Sequence, residues 1–116
     1  MPVVKLTTSK KFERADQEKL AAELIRTAAA ELGKPEAVTQ AIVSDDTVVS
    51  FGGDFSEPSA FIALMSIGGL NRDSCTRLSA AFCKLLAGYG IDPKRVYICF
   101  NDKKGEDFGW NSTIFG

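Results

Sequence analysis

In this 116-residue chain a proline stands directly behind the first methionine, a lysine sits between Gly33 and Pro35, and there are three cysteines and no histidine. These are the residues with chemistry to offer. Proline lacks a backbone N–H and suits the first residue of a strand or a sheet edge. If Met1 is removed, Pro2 becomes a free secondary amine at the chain terminus, and such an amine is a base. Both readings stand at this point. The absence of histidine excludes His-based triads, His-rich zinc motifs and histidine general bases, so acid–base chemistry needs another source. Cys75 and Cys83 lie eight residues apart on one expected helix, roughly 12 Å at about 1.5 Å per residue, which is too far to bridge. No C-x-x-C occurs, and the odd count with no signal peptide predicts reduced thiols.

The elements that must position these groups follow from the rest of the chain. Apolar residues make up 45% and charged residues 25%, ordinary values for a globular domain of one modest core, here taken as residues 1–116. A net charge of −1 leaves no electrostatic footprint for nucleic acid or an anionic membrane. No apolar run approaches the roughly 18 residues of a spanning helix, so membrane insertion is not expected. No charged start leads into an apolar stretch, which predicts a cytoplasmic protein and leaves open secretion by a route without a signal peptide.

Residues 3–8, VVKLTT, read as a strand rich in β-branched types. Residues 16–32 read as a helix, with Leu20, Leu24, Ala28 and Leu32 on one stripe. Gly33 and Pro35 stop it. Residues 38–43 read as a second strand, 47–53 as a short strand ending in two glycines, and 59–67 as a strand apolar nearly throughout. A helix follows over 72–88 with Leu78, Phe82, Leu85 and Tyr89 inward, then a strand over 95–100. The tail is turn-rich and aromatic, with one short strand expected near its end.

The order is strand–helix–strand twice. Pro35 and Pro93 differ by 58 positions, half the chain length, and the same shift pairs Leu20 with Leu78, Val38 with Val96 and Leu6 with Leu64. A duplicated β-α-β unit explains a constant shift. Two right-handed units place both helices on one face of a sheet. The opposite face has no cover within the chain, and the succession Phe61, Ile62, Ala63, Leu64 gives it apolar residues. Soluble monomers rarely expose apolar patches of more than a few hundred Å², so a closed oligomer with its sheets packed together is expected.

Six stretches carry a resemblance: MPVVKLTT at 1–8, LGKPE at 32–36, SFGGDFSEP at 50–58, SIGGLN at 66–71, KRVYICF at 94–100 and GWNSTIFG at 109–116. In order and at nearly these spacings, they make the chain similar to the macrophage migration inhibitory factor family of the tautomerase superfamily. The resemblance implies an α/β (α+β) subunit with a four-stranded sheet packed on two helices. It also implies a homotrimer whose sheets form a central barrel, and a cofactor-free keto–enol tautomerase. Family members use the N-terminal proline as catalytic base, which gives Pro2 that role. An α-amine normally titrates at about 7.7–8.0 and burial lowers it, so a proline amine in an apolar, cation-bearing pocket is neutral at pH 7. It can then move a proton between carbon and oxygen of a small enolisable aromatic keto acid.

The same resemblance gives Lys34 the substrate's carboxylate or enolate oxygen; on the residues alone it is a cation at a helix C-terminus. Ser66 and Ile67 end the buried strand, with the Ile67 backbone N–H turned to the site. Tyr97 comes from the neighbouring subunit. Val38, Phe108, Trp110 and Phe115 form apolar and aromatic walls, or plain core. Cys99 replaces a frequent asparagine that contacts a substrate hydroxyl; the alternative is a small apolar interface residue. Ser59 and Ile62 occupy the places of the C-x-x-C of the family's best-known cytokine, so thiol-oxidoreductase activity is not expected, and the loop carries one extra residue at Asp54 and Phe55. A signalling role at a cell-surface receptor, with the pocket secondary, is one competing reading; a trimer without tautomerase activity, because a retained Met1 leaves Pro2 an amide, is the other.

Overall fold

The computed structural model describes residues 1–116. Strand β1 spans Pro2–Thr8, helix α1 Arg14–Leu32, β2 Gln40–Ser44, β3 Ala60–Ile67, helix α2 Arg72–Ala87 and β4 Val96–Lys103. Two short strands, β5 Gly109–Trp110 and β6 Thr113–Ile114, close the chain. The four long strands form one mixed sheet in the order β2-β1-β3-β4. Each β-α-β unit pairs its own strands in parallel, and the two units meet antiparallel along β1 and β3. That is the expected fold class of two helices on a four-stranded sheet.

Period-two alternation along the strands sends Val4 and Leu6 of β1 and Ile62 and Leu64 of β3 into the core. There they meet Leu20, Leu24 and Ala28 of α1 and Leu78, Phe82 and Leu86 of α2, all fully buried. Burying a large apolar side chain stabilises by about 1.5–3 kcal/mol relative to exposure, and this shared layer holds both helices to the sheet. The other face of the sheet carries Phe61, Ala63, Met65 and Ile67 of β3 beside Tyr97 and Cys99 of β4. No element of the chain covers it. Phe61 is 41% exposed and Tyr97 68%.

The helix ends are built differently. Helix α1 stops in a left-handed turn at Gly33, where φ is 63°, and the Lys34 N–H reaches back to the Ala29 carbonyl at 3.0 Å. That conformation costs a residue with a Cβ and suits glycine. Helix α2 begins in a reciprocal cap: Asn71 accepts from the Ser74 N–H while the Ser74 hydroxyl accepts from the Asn71 N–H.

Three expectations need correction. Residues 47–53 form no strand. Thr47 donates to Thr8 at 3.1 Å as a last link, Val48 is 86% exposed, and only Phe51 and Asp54 bridge across the Gly52–Gly53 turn. β-branched residues favour a strand only when a neighbour is there to pair and pack, and within this chain none is. The strand expected over 38–43 starts at Gln40, because residues 36–38 wind into a 3-10 turn closed by Thr39 Oγ1 on the Pro35 carbonyl at 2.9 Å. The tail holds two short strands rather than one. They are joined through Asn111 and Ser112, both at positive φ, as a two-residue hairpin turn requires.

Candidate functional site

Pro2 opens β1, the second strand of the sheet, and lies opposite Ser66 at the end of β3. On the other side Val3 pairs with Gln40 at the start of β2. The chain therefore begins between two strand ends, with Pro2 itself buried. Above it opens a cleft of about 590 Å³, lined by Met1, Pro2, Val3, Ile25, Val38 and the tail. This lies within the usual range for small-molecule sites. Phe108, Trp110 and Phe115 make one wall. The Trp110 and Phe115 rings stack at 6.1 Å, tilted by 18°. The Phe115 N–H donates to the carbonyls of Phe108 and Gly105, both at 3.2 Å, which folds the tail back over the cleft.

Lys34 comes to this place because the Gly33 turn redirects the chain at the end of α1. Its Nζ donates to the Ile67 carbonyl at 2.7 Å, which ties the cation to the end of β3. So the ammonium is aimed at the end of an interior strand rather than at the last carbonyls of its own helix. The terminal amine, carried here by Met1, is held below its ordinary value of 8.0, first by burial and then by the neighbouring Lys34 charge. Both causes disfavour the protonated form. The site thus combines an amine biased toward its neutral state, a fixed cation and flat aromatic walls.

Of the expected site residues, Ile67 is not among those lining the cleft and meets the site through its carbonyl, which accepts from Lys34; the others divide into three groups. Pro2, Val38, Phe108, Trp110 and Phe115 line the cleft, and Lys34 stands at its amine. Ser66 does not reach the cleft with its side chain: it is fully buried, and its hydroxyl donates to the Gly68 carbonyl at 2.8 Å. It shares the core-facing parity of Ile62 and Leu64, so its role is to hold the glycine turn after β3. Tyr97 and Cys99 are also absent from the cleft of their own chain. Tyr97 pairs with Phe61, five residues along β3 from Ser66, or roughly 17 Å at about 3.4 Å per residue. Both lie on the open sheet face. Residues not anticipated are Val3, Gly109, Ile25, Ala37, Thr39, Gln40 and Ala41. The parallel pairing of β1 with β2 brings the last three there, a consequence of β-α-β topology that the repeat pattern already contained. No group of three His, Cys, Asp or Glu side chains is gathered closely enough to hold a metal.

An α/β subunit with two repeated β-α-β units and an apolar cleft at the start of its first strand is the tautomerase-superfamily fold. Over residues 1–116 the sequence matches the profile of "Macrophage migration inhibitory factor (MIF)". It is 41% identical over 88 residues to a macrophage migration inhibitory factor homolog of Trichinella spiralis, covering 72% of this chain and 74% of that protein. The homologue from Prochlorococcus marinus superposes with a TM-score of 0.91 at 30% identity over 98% of this chain and 99% of that one. The like protein of Entamoeba histolytica gives 0.92 at 30% identity over 98% of both chains. The chain belongs to the macrophage migration inhibitory factor family.

Proposed function

We propose that the protein is a cofactor-free keto–enol tautomerase for small aromatic α-keto acids of the phenylpyruvate type. The observation that carries this reading is the terminal amine, set in an aromatic cleft and held below its usual pKa by burial and by Lys34. With Met1 removed, the secondary amine of Pro2 takes its place. It takes a proton from the carbon beside the keto group and returns it to the enolate oxygen or to carbon. Positioned proton transfer of this kind contributes roughly 10²–10⁴ in rate. The Lys34 ammonium, aimed by the Ile67 carbonyl, meets the substrate carboxylate or the developing enolate. Val38, Phe108, Trp110 and Phe115 take the ring. A homotrimer joined across the open sheet face supplies Tyr97 and Cys99 from the next subunit.

Intact mass spectrometry tests the first requirement, since the enzyme reading needs loss of one methionine. Pro2→Gly then lowers kcat/KM for phenylpyruvate at least tenfold with the assembly intact; an unchanged rate moves the base elsewhere. Because the neutral amine is the active form, kcat/KM falls as the pH drops and the amine takes up a proton. Light scattering should give three times the 12.5 kDa chain mass; a stable monomer removes Tyr97 and Cys99 from the site. A second reading, signalling at a cell-surface receptor, is favoured by the name that the sequence relatives bear. Receptor binding that survives Pro2→Gly unchanged would separate it from catalysis.

A further inference from the structure

At the end of the sheet away from Pro2, the loop before β3 is locked onto the start of β4. The Phe51 and Asp54 backbones bond to each other at 3.1 and 3.2 Å across the Gly52–Gly53 turn. One Asp54 carboxylate oxygen accepts from the Ser56 N–H at 2.8 Å, and the other from Arg95 Nη1 at 3.2 Å. The Arg95 side chain is only 13% exposed, and all three of its nitrogens donate: besides Nη1, Nη2 donates to the Asp54 carbonyl at 2.7 Å, and Nε to the Pro58 carbonyl and the Ser59 hydroxyl. The guanidinium stands 6.0 Å from the centre of the Phe51 ring. That ring in turn lies 5.1 Å from the Tyr97 ring, tilted by 36°. Tyr97 is otherwise largely open to solvent.

We propose that Asp54, Arg95 and Phe51 are positioning residues that hold the Tyr97 ring in place and thereby set the preference for substrates bearing a ring. This rests on the reading that Tyr97 completes a neighbouring subunit's cleft. Phe51 limits the arc through which the Tyr97 ring can swing. Arg95 and Asp54 fix Phe51, because a turn with two glycines at positive φ has no stiffness of its own. A ring held in advance loses less freedom when a substrate ring meets it, and the benefit appears as binding.

The test uses Asp54→Ala, which touches neither Tyr97 nor the cleft, with Phe51→Leu and the conservative Phe51→Tyr beside it. The chain has two tyrosines, so ring-labelled tyrosine NMR reads Tyr97 directly, with Tyr89 as internal reference on the far side of the core. Asp54→Ala is expected to move the Tyr97 ring signals and leave those of Tyr89 in place; unmoved Tyr97 signals overturn the proposal. In the assay, Asp54→Ala and Phe51→Leu raise KM for phenylpyruvate about two- to tenfold, the range of an aromatic pair contact. The kcat value is kept, and Phe51→Tyr restores KM. Proton exchange of 2-oxobutanoate, which has no ring, is unaffected. Equal loss for both substrates, or loss confined to kcat, overturns the proposal. If the wild type turns over neither keto acid, the tautomerase reading falls and the clamp is decided by the NMR signals alone.

Discussion

Shifted by 58 positions, the separation of Pro35 from Pro93, the buried residues of the first repeat land on those of the second. Val4 falls on Ile62, Leu6 on Leu64, Leu20 on Leu78, Leu24 on Phe82 and Ala28 on Leu86, every one of them fully buried. The ends of the repeats are not equivalent. Pro2, at the chain terminus, corresponds to Ala60, which follows a loop. Gly33, at a left-handed turn, corresponds to Ile91, which is buried, and Lys34 corresponds to Asp92, whose carboxylate accepts from the Lys94 N–H. Ala37, on the cleft wall, corresponds to Arg95, whose guanidinium occupies the matching end of the sheet with bonds to Asp54, Pro58 and Ser59. One core supports an open cleft at one end and a locked loop at the other. The packing layer sets the scaffold, and the loops and chain ends decide what is done on it.

The largest expected effects test the claim that the two cores are equivalent. Phe82→Ala should cost about 3–5 kcal/mol and Leu24→Ala about 2–5 kcal/mol in urea unfolding, with KM for phenylpyruvate unchanged in whatever fraction stays folded. A large KM change in either would mean that the core reaches the cleft. Next come the paired ends. Lys34→Ala should raise KM about tenfold or more, as loss of a charge-assisted hydrogen bond to substrate would, while Asp92→Ala should leave KM alone and lower only the melting temperature. Removing the Lys34 charge also raises the amine pKa, so the acid limb of the pH–rate profile moves to higher pH in that variant. A limb that stays put would remove Lys34 from the electrostatics of the site. The smallest contrast lies at the helix starts. Asn71→Ala should cost about 0.5–2 kcal/mol of stability. Glu13→Ala, at a helix start whose residue makes no side-chain cap, should stay within about 0.5 kcal/mol. Equal costs would mean that the reciprocal cap on α2 contributes nothing.

The stripes of Leu20, Leu24 and Ala28 and of Leu78 and Phe82 were legible because helical period and burial coincide there. The repeat shift then placed the sheet. Residues 47–53 misled because their β-branched types express a preference that needs a partner strand. Ser66 misled through proximity: it is next to Ile67 in sequence, yet strand parity turns its hydroxyl to the core side. Had parity with Ile62 and Leu64 been followed, that direction was readable. Gln40, Thr39 and Ala41 reach the cleft through a strand pairing, and no local pattern marks them. Phe51 and Arg95 lie 44 positions apart in the chain, and only the folded loop brings their side chains together.

Met1 and Phe115 border the same cleft, so the chain leaves its first strand and returns to it at its last. A circularly permuted gene could join these ends with a short linker and reopen the chain at the exposed turn beyond Val48. Each strand pairing would survive, yet Pro2 would sit in an ordinary peptide bond with no basic nitrogen. Such a permutant should fold and assemble like the parent while losing turnover. On the tautomerase proposal any extension fused ahead of Pro2 should do the same, because the proposed base is then an amide nitrogen.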